Sequence, residues 1–154
     1  MKPDVFLKSV CEITPEFMRA HGLSGLLLDL DNTLAGYSAD TPPPEIAEWL
    51  KTIRGAGIRL CVVSNSKEPR VRRFCEPLGL DYVHTAKKPS PDGLFRANMP
   101  GAAMVGDQLF TDTRSGKRAG VTTIMVDPLN NSFIFKARRA FETLFMGRER
   151  YEQP

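Results

Sequence analysis

The chain has 154 residues, of which 42% are hydrophobic and 25% charged, and its formal net charge is +3 at pH 7. These values fit one soluble globular domain. The three cysteines are odd in number and form no CxxC pair, which argues against a disulfide framework or a zinc site. No apolar run predicts a membrane span or a signal peptide. We therefore expect a cytoplasmic protein that is at most peripheral at the cytoplasmic face of a membrane.

Short apolar runs alternate with helical stretches along the chain. Strands that are apolar throughout are typical of a parallel sheet with both faces covered by helices. The pattern predicts an α/β fold of the Rossmann-like, doubly wound type, with a mainly parallel sheet of about five strands. In such folds ligands bind beyond the carboxyl ends of the strands. Strands are predicted at 26–29, 58–64, 82–84, 102–105 and 122–126, and helices at 44–54, 68–76, 111–119 and from residue 90.

Two flanks surround the predicted core of about 23–128, and we expect all of 1–154 to form a single domain. A helical lead-in is predicted over 1–22, with Thr14 as its helix start and Gly22 as its stop. A basic amphipathic helix is predicted over about 132–147. We favour an ordinary helix packed on the core, and contact with a membrane surface is the alternative. One face of this helix carries Ile134, Ala137, Phe141 and Leu144, and Lys136, Arg138, Arg139 and Glu142 lie largely away from it.

A pair of carboxylates follows the first predicted strand. Asp29 and Asp31 are two residues apart, so in an extended backbone their side chains point to the same side. Carboxylates held close together repel and need a cation or a shared proton. Mg²⁺, a hard cation that prefers oxygen ligands, meets that need. The structural alternative is that these aspartates only cap a helix or turn.

A second acidic motif follows the fourth predicted strand. Gly106 permits a tight exit from that strand, and Asp107 comes where a third oxygen ligand could reach the same ion. Asp112 is predicted to orient a ligand or a lysine instead of binding the metal itself. Alone, Asp107 could equally be a turn residue.

Two further strand ends carry groups suited to a phosphate. Ser64 and Asn65 end the second strand, where a hydroxyl and backbone amides could hold a phosphate oxygen. Lys87 and Lys88 follow the third strand, and an ammonium there could balance phosphoryl charge. Either lysine could serve, but the Lys-Pro sequence favours Lys88. Each feature alone could be a purely structural cap, turn or solvated residue. Their order along the chain and their shared position at strand ends argue for one site.

In these motifs and their order, the chain resembles the haloacid dehalogenase (HAD) superfamily of phosphatases, subclass III. The stretch 29–33 matches the first motif of that family, Ser64 the second, Lys88 the third, and Asp107 with Asp112 the fourth.

A narrower resemblance covers nearly the whole chain. The stretches 12–15 and 76–79, together with the four motifs, are similar to the YqeG subfamily, which resembles the fungal mitochondrial phosphatidylglycerophosphate phosphatase. The stretch 89–105 is short for that subfamily but touches no motif residue.

The resemblance implies a mechanism. Asp29 would attack phosphorus and form an aspartyl phosphate, and Asp31 would act as general acid and base. Mg²⁺ would be held by Asp29, Asp107 and the backbone carbonyl of Asp31. Ser64 and Lys88 would stabilise the phosphoryl oxygens. The other predicted phosphate-binding residues are Asn32, Thr33 and Asn65.

The spacing of the motifs leaves no room for a cap domain. Residues 34–63 and 65–87 hold only single helices and strands, so we expect an open, capless site. Such a site suits phosphatidylglycerophosphate or a similar phospholipid at a membrane surface. The same chemistry on a soluble sugar phosphate, nucleotide or phosphoprotein is an alternative, as is a non-catalytic phosphoacceptor or scaffold. Nucleic acid is not an expected partner, because no basic and aromatic stripe occurs. The sequence is compatible with an oligomer.

Overall fold

The computed structural model describes residues 1–130 and 133–146, and a parallel β-sheet forms the centre of this part. All pairings between its strands are parallel, in the spatial order β1-β6-β5-β2-β3-β4. The predicted doubly wound α/β fold is thereby confirmed, although the sheet has six strands in the described residues and not five. The strands are β1 Val5–Leu7, β2 Gly25–Leu28, β3 Arg59–Val63, β4 Asp81–Val83, β5 Ala102–Gly106 and β6 Thr123–Val126.

Helices cover both faces of the sheet. Alternate side chains of a strand point to opposite faces, so Leu26 and Leu28 of β2 join one buried cluster while Leu27 joins another. Burial of every residue in β2 explains why its sequence is continuously apolar. The helices are α1 Pro15–Ala20, α2 Pro44–Gly55, α3 Glu68–Cys75, α4 Asp92–Ala97, α5 Arg114–Ala119 and α6 Phe133–Met146.

The predicted helical lead-in over 1–22 is wrong in its first part. Residues Val5–Leu7 form the edge strand β1, which pairs with β6. A run of three apolar residues is too short to show a period, and its partner lies more than a hundred residues away in sequence. The helix start is placed correctly, because Thr14 Oγ1 accepts a hydrogen bond of 3.0 Å from the Phe17 N–H. Gly22, with φ of 63°, follows the end of α1.

The middle of the C-terminal helix, residues 136–144, does not bury the apolar side chains that its sequence pattern favours. Over residues 136–144, the part of α6 whose burial the structure describes, the buried side chain is polar: Glu142 is only 1% exposed, whereas Phe141 is 55% and Leu144 79% exposed. Ile134, also predicted on the apolar face, lies outside that part. Polar partners at the edge of the sheet outweigh apolar periodicity here. In the described ranges, no helix has the length and apolar content needed to cross a bilayer.

Asp4 fixes the edge strand, which gives a test of this fold. Its carboxylate accepts hydrogen bonds from the Thr123 N–H (2.8 Å) and hydroxyl (3.0 Å) and pairs with Lys117. We expect Asp4→Ala to lower the free energy of unfolding by about 1–2 kcal/mol, because it leaves the Thr123 N–H without this acceptor. Urea denaturation at neutral pH measures the change.

Lys117→Met is the matched control for Asp4→Ala. It removes only a solvent-exposed ion pair and should cost less than about 1 kcal/mol. Equal losses in the two variants would contradict the role given to Asp4.

Candidate active site

The turn after β2 carries the first acidic motif. Asp29 continues the ladder, its N–H donating to the Val105 carbonyl at 2.9 Å. The Leu30 side chain is buried, and its carbonyl accepts hydrogen bonds from the N–H groups of Leu34 (3.0 Å) and Ala35 (3.3 Å). Asn32 adopts a left-handed conformation with φ of 66°. This tight turn holds Asp29 and Asp31 at the carboxyl edge of the sheet.

A buried ammonium group links two of the motifs. Lys88 Nζ lies 2.8 Å from Asp29 Oδ1 and 2.7 Å from Asp112 Oδ1, and its side chain is 2% exposed. Burial would lower the pKa of Lys88, but the Asp112 and Asp29 carboxylates outweigh it and raise this pKa, so the amine stays charged. Lys87 is exposed. The structure thus places Lys88, and not its neighbour, among the aspartates.

Asn65 holds the backbone of this lysine. Its Oδ1 accepts from the Lys88 N–H at 2.7 Å, and its Nδ2 donates to the Lys88 carbonyl at 3.0 Å. Ser64 is buried beside it, and its Oγ accepts from the Ser66 N–H at 3.0 Å. The end of β3 therefore positions both a hydroxyl and the lysine.

Three carboxylates converge next to this lysine. One oxygen each of Asp29, Asp107 and Asp112 lie within 4.8 Å of one another. Thr33 Oγ1 lies 3.2 Å from Asp29 Oδ2 and 3.4 Å from Asp107 Oδ1. Burial and the charge of Asp29 raise the pKa of Asp107 to about 6. Buried, mutually repelling carboxylates of this kind fit a divalent cation.

Close packing builds the second acidic motif. A wide helical turn over Leu109–Thr113 precedes α5, where a regular helix from residue 111 is expected from the sequence. Asp112 folds back so that its Oδ2 accepts from the Gln108 N–H at 3.1 Å. A Cβ at Gly106 would lie 2.2 Å from the Asp112 carboxyl group. Only glycine at position 106 leaves room for Asp112 beside the lysine.

Asp31 is set apart from the carboxylate cluster. Its Oδ1 pairs with Arg70 Nη2 at 3.0 Å, and its Oδ2 accepts from Ser66 Oγ at 2.7 Å. Neither partner is among the site residues predicted from the sequence, because an arginine or serine after a strand end is more often solvated than part of a site. The available signal is their position two and six residues after Ser64, in the turn before α3 and in its first turn.

The C-terminal helix contacts the second acidic motif, which sequence reasoning also missed. Arg138 Nη2 lies 2.7 Å from Asp107 Oδ2, and Glu142 Oε1 accepts from the Leu109 N–H at 3.1 Å. Asn32, predicted to bind phosphate, accepts from the Asn130 N–H at 2.8 Å through its Oδ1. The segment after β6 thus bonds to both acidic motifs.

A cleft of about 250 Å³ opens above these groups. Its volume suits a phosphoryl group with a small part of a substrate. Every residue that lines it carries a polar or charged group, as a site for a charged ligand requires. The cleft is lined by Asp29, Asp31, Tyr37, Ser64, Asn65, Ser66, Lys88, Gln108, Thr111 and Asp112.

Comparison with known proteins agrees with this geometry. The family model of the haloacid dehalogenase-like hydrolases matches residues 6–120. The chain belongs to this family. It is 38% identical over 148 residues to the probable phosphatase YqeG of Bacillus subtilis, covering 91% of this chain and 86% of that protein. The chain is therefore an enzyme of the phosphatase type, as the resemblance implies.

More distant relatives extend the comparison. The phosphatidylglycerophosphate phosphatase 1 of Arabidopsis thaliana is 30% identical over 166 residues, covering 95% of this chain but only 47% of that protein. The chain thus spans about half the length of this plant relative. A solved hypothetical protein of Xanthomonas campestris has a TM-score of 0.53 at 16% identity, covering 80% of this chain and 74% of that one. That likeness supports the fold.

The acidic cluster predicts a pH-dependent response to Mg²⁺. The pKa of Asp107 in the folded protein, about 6, exceeds its ordinary value of 3.8, so the folded state binds the proton more tightly than the unfolded state. The metal-free protein therefore loses stability as the pH rises from 3.8 to about 6. A cation favours the ionised cluster. We expect saturating Mg²⁺ to raise the melting temperature by roughly 5–10 °C at pH ~7.5 and by less at pH ~5.

Thermal melts of chelator-treated protein at the two pH values measure this response. Asp107→Asn should abolish it, whereas Asp81→Asn, which alters an exposed carboxylate of β4, should preserve it. An equal Mg²⁺ effect at both pH values would contradict the assignment of the cluster.

Proposed function

We propose that this phosphatase is a Mg²⁺-dependent phosphomonoesterase that forms an aspartyl phosphate on Asp29, with phosphatidylglycerophosphate as its substrate. The arrangement that carries the proposal is the Lys88 ammonium between Asp29 and Asp112, beside a cluster of buried carboxylates below the cleft. A nucleophile that is a carboxylate needs positive charge beside it in order to approach an anionic phosphate.

The chain's own residues divide the chemistry. An oxygen of Asp29 forms a bond to phosphorus while the bond from phosphorus to the alcohol oxygen breaks. Asp31 gives a proton to that departing oxygen, then takes one from the water that hydrolyses the aspartyl phosphate. Lys88 stays protonated and neutralises charge on the phosphoryl oxygens throughout.

Mg²⁺ would be held by Asp29, Asp107 and the backbone carbonyl of Asp31, with Asp112 orienting Lys88. The ion would supply charge neutralisation between nucleophile and phosphate. Asp112 belongs to the same carboxylate cluster, but both of its oxygens are engaged, Oδ1 by Lys88 at 2.7 Å and Oδ2 by the Gln108 N–H at 3.1 Å, which supports an orienting role.

Phosphate binding is assigned to Ser64 and Lys88, with Asn32, Thr33 and Asn65 contributing around them. Thr33 Oγ1 lies between Asp29 and Asp107, and Asn65 fixes the backbone of Lys88. These contacts support a role for Thr33 and Asn65 in shaping the phosphate site. Asn32 serves through the turn that it forms and through its bond to Asn130.

Three points favour a lipid over a soluble phosphate ester. No domain is inserted between β2 and β4, so from that span the cleft is bordered only by single side chains such as Tyr37. The outer face of α6 exposes Leu144 and Phe141, whose ring also lies 6.2 Å from that of Phe110, while the inner face contacts Asp107. Exposed apolar side chains on a helix that contacts the site offer a surface for membrane binding. The relative from Arabidopsis thaliana is itself named as a phosphatidylglycerophosphate phosphatase.

Activity measurements test the substrate and the nucleophile together. We expect phosphate release from phosphatidylglycerophosphate in mixed micelles to exceed that from a soluble aryl phosphate, and chelator to abolish both. Asp29→Asn should lower kcat by at least about a thousandfold, because the attacking group is lost. Asp81→Asn, at an exposed position, is the control and should retain activity.

The two parts of the proposal can fail separately. Aryl phosphate turnover that depends on Mg²⁺ and Asp29, without lipid turnover, would reject the substrate alone. Full activity of Asp29→Asn would reject the mechanism.

The outer face of α6 gives a second test. Phe141→Ser with Leu144→Ser should weaken co-sedimentation with phosphatidylglycerol-containing vesicles by roughly tenfold or more, since burial of each such side chain contributes about 1.5–3 kcal/mol. Turnover of the soluble aryl phosphate should not change. Phe95→Ser, at another exposed phenylalanine, is the control. Equal vesicle binding by all variants would contradict membrane contact through α6.

A further inference from the structure

Both carboxylate oxygens of Asp31 accept hydrogen bonds from residues of one short segment, 66–70. Arg70 Nη2 donates to Oδ1 at 3.0 Å, and Ser66 Oγ donates to Oδ2 at 2.7 Å. The Arg70 side chain is 13% exposed and that of Asp31 is 19% exposed, so water competes little for this pair. The carboxylate is thereby kept on the wall of the cleft.

Arg70 also anchors the short loop that stands where related enzymes could carry a cap. Its Nη1 donates to the Ala39 carbonyl at 2.5 Å, and its Nη2 lies 3.4 Å from the Gly36 carbonyl. Asp40 lies 3.9 Å from Nη1. One planar guanidinium therefore ties Asp31 to the loop that follows its turn, a task that needs several donors in a fixed geometry.

Without such a tie Asp31 would be free to move. Its neighbour two residues earlier, Asp29, belongs to the buried carboxylate cluster. Repulsion from that cluster would drive an untethered Asp31 toward solvent. The pair with Arg70 holds it at a defined place beside the cleft instead.

We infer that Arg70 is the positioning residue for Asp31 and holds that carboxyl group where it can protonate the departing alcohol oxygen. This inference rests on the proposed role of Asp31 as general acid. Arg70 can only donate hydrogen bonds, so the oxygen that it contacts, Oδ1, is the one that does not carry the proton. The Ser66 hydroxyl both donates and accepts, so it can turn to accommodate a proton on Oδ2.

The step that Arg70 supports leaves a specific signature. As the bond from Asp29 to phosphorus forms, the bond from phosphorus to the alcohol oxygen breaks, and the proton on Asp31 moves to that oxygen. A weakly basic leaving group departs without this proton, whereas a strongly basic one needs it. Loss of Arg70 should therefore lower kcat/KM most for the ester with the most basic leaving group and least for the ester with the least basic one.

The experiment measures kcat/KM, which reports the first chemical step, with 2,4-dinitrophenyl, 4-nitrophenyl and phenyl phosphate. We expect Arg70→Gln to lower kcat/KM for phenyl phosphate by about 10- to 100-fold, and for 2,4-dinitrophenyl phosphate by less than about threefold. Asp31→Asn should show the same trend more strongly. Arg70→Lys should recover part of the loss, because it restores charge but not the planar fork.

Arg73→Gln is the matched control. It removes the same charge from the same helix, but Arg73 is 58% exposed and pairs with Asp40, not with Asp31. Its kcat/KM should match that of the unaltered chain with all three esters. Thermal melts of each variant check that the fold is intact.

Three results would overturn the inference. The first is a loss in Arg70→Gln that is equal for all three esters, which a general structural defect would produce. The second is a full additional loss when Arg70→Gln is combined with Asp31→Asn, because a residue that acts through Asp31 has nothing left to position there. The third is an equal loss of kcat/KM for all three esters in Asp31→Asn. That result would also reject Asp31 as the general acid, whereas the tests of Asp29 and Mg²⁺ would stand.

Discussion

The buried ammonium of Lys88 is the interaction on which the site depends. Asp29 and Asp112 come from different strand ends, and each would be costly to bury as a lone carboxylate. A single cation shared between them makes their burial possible and brings the motifs after β2, β4 and β5 to one point. The close approach of Asp112 in turn requires glycine at position 106.

Excess negative charge remains after this pairing and shapes the surroundings. Asp107 is fully buried, close to Asp29, and paired with Arg138 of α6. The charged side of α6 therefore has a better partner at this edge than in water, and over residues 136–144 Phe141 and Leu144 are left exposed. The same excess charge that suits a divalent cation thus decides how the C-terminal helix docks.

Different parts of the chain hold the two carboxylates of the first motif in different ways. Asp29 is held by the lysine from the loop after β4, and Asp31 by Arg70 and Ser66 from α3 and the turn before it. This separation keeps like charges apart, so that one can serve as nucleophile and the other as acid. Arg70 also donates to carbonyl groups of the loop at 36–40, so one guanidinium group holds both Asp31 and this loop.

The sequence by itself determined the parallel α/β fold and the strand ends that carry Asp29, Ser64, Lys88 and Asp107, because buried parallel strands are continuously apolar and polar residues mark where they end. Only the tertiary structure decided the rest. The edge strand β1 depends on a partner distant in sequence, the orientation of α6 on charges at the sheet edge, and the grip of Arg70 on Asp31 on contact between separate segments. Local patterns cannot encode such contacts, since they arise only when chain folding brings distant residues together.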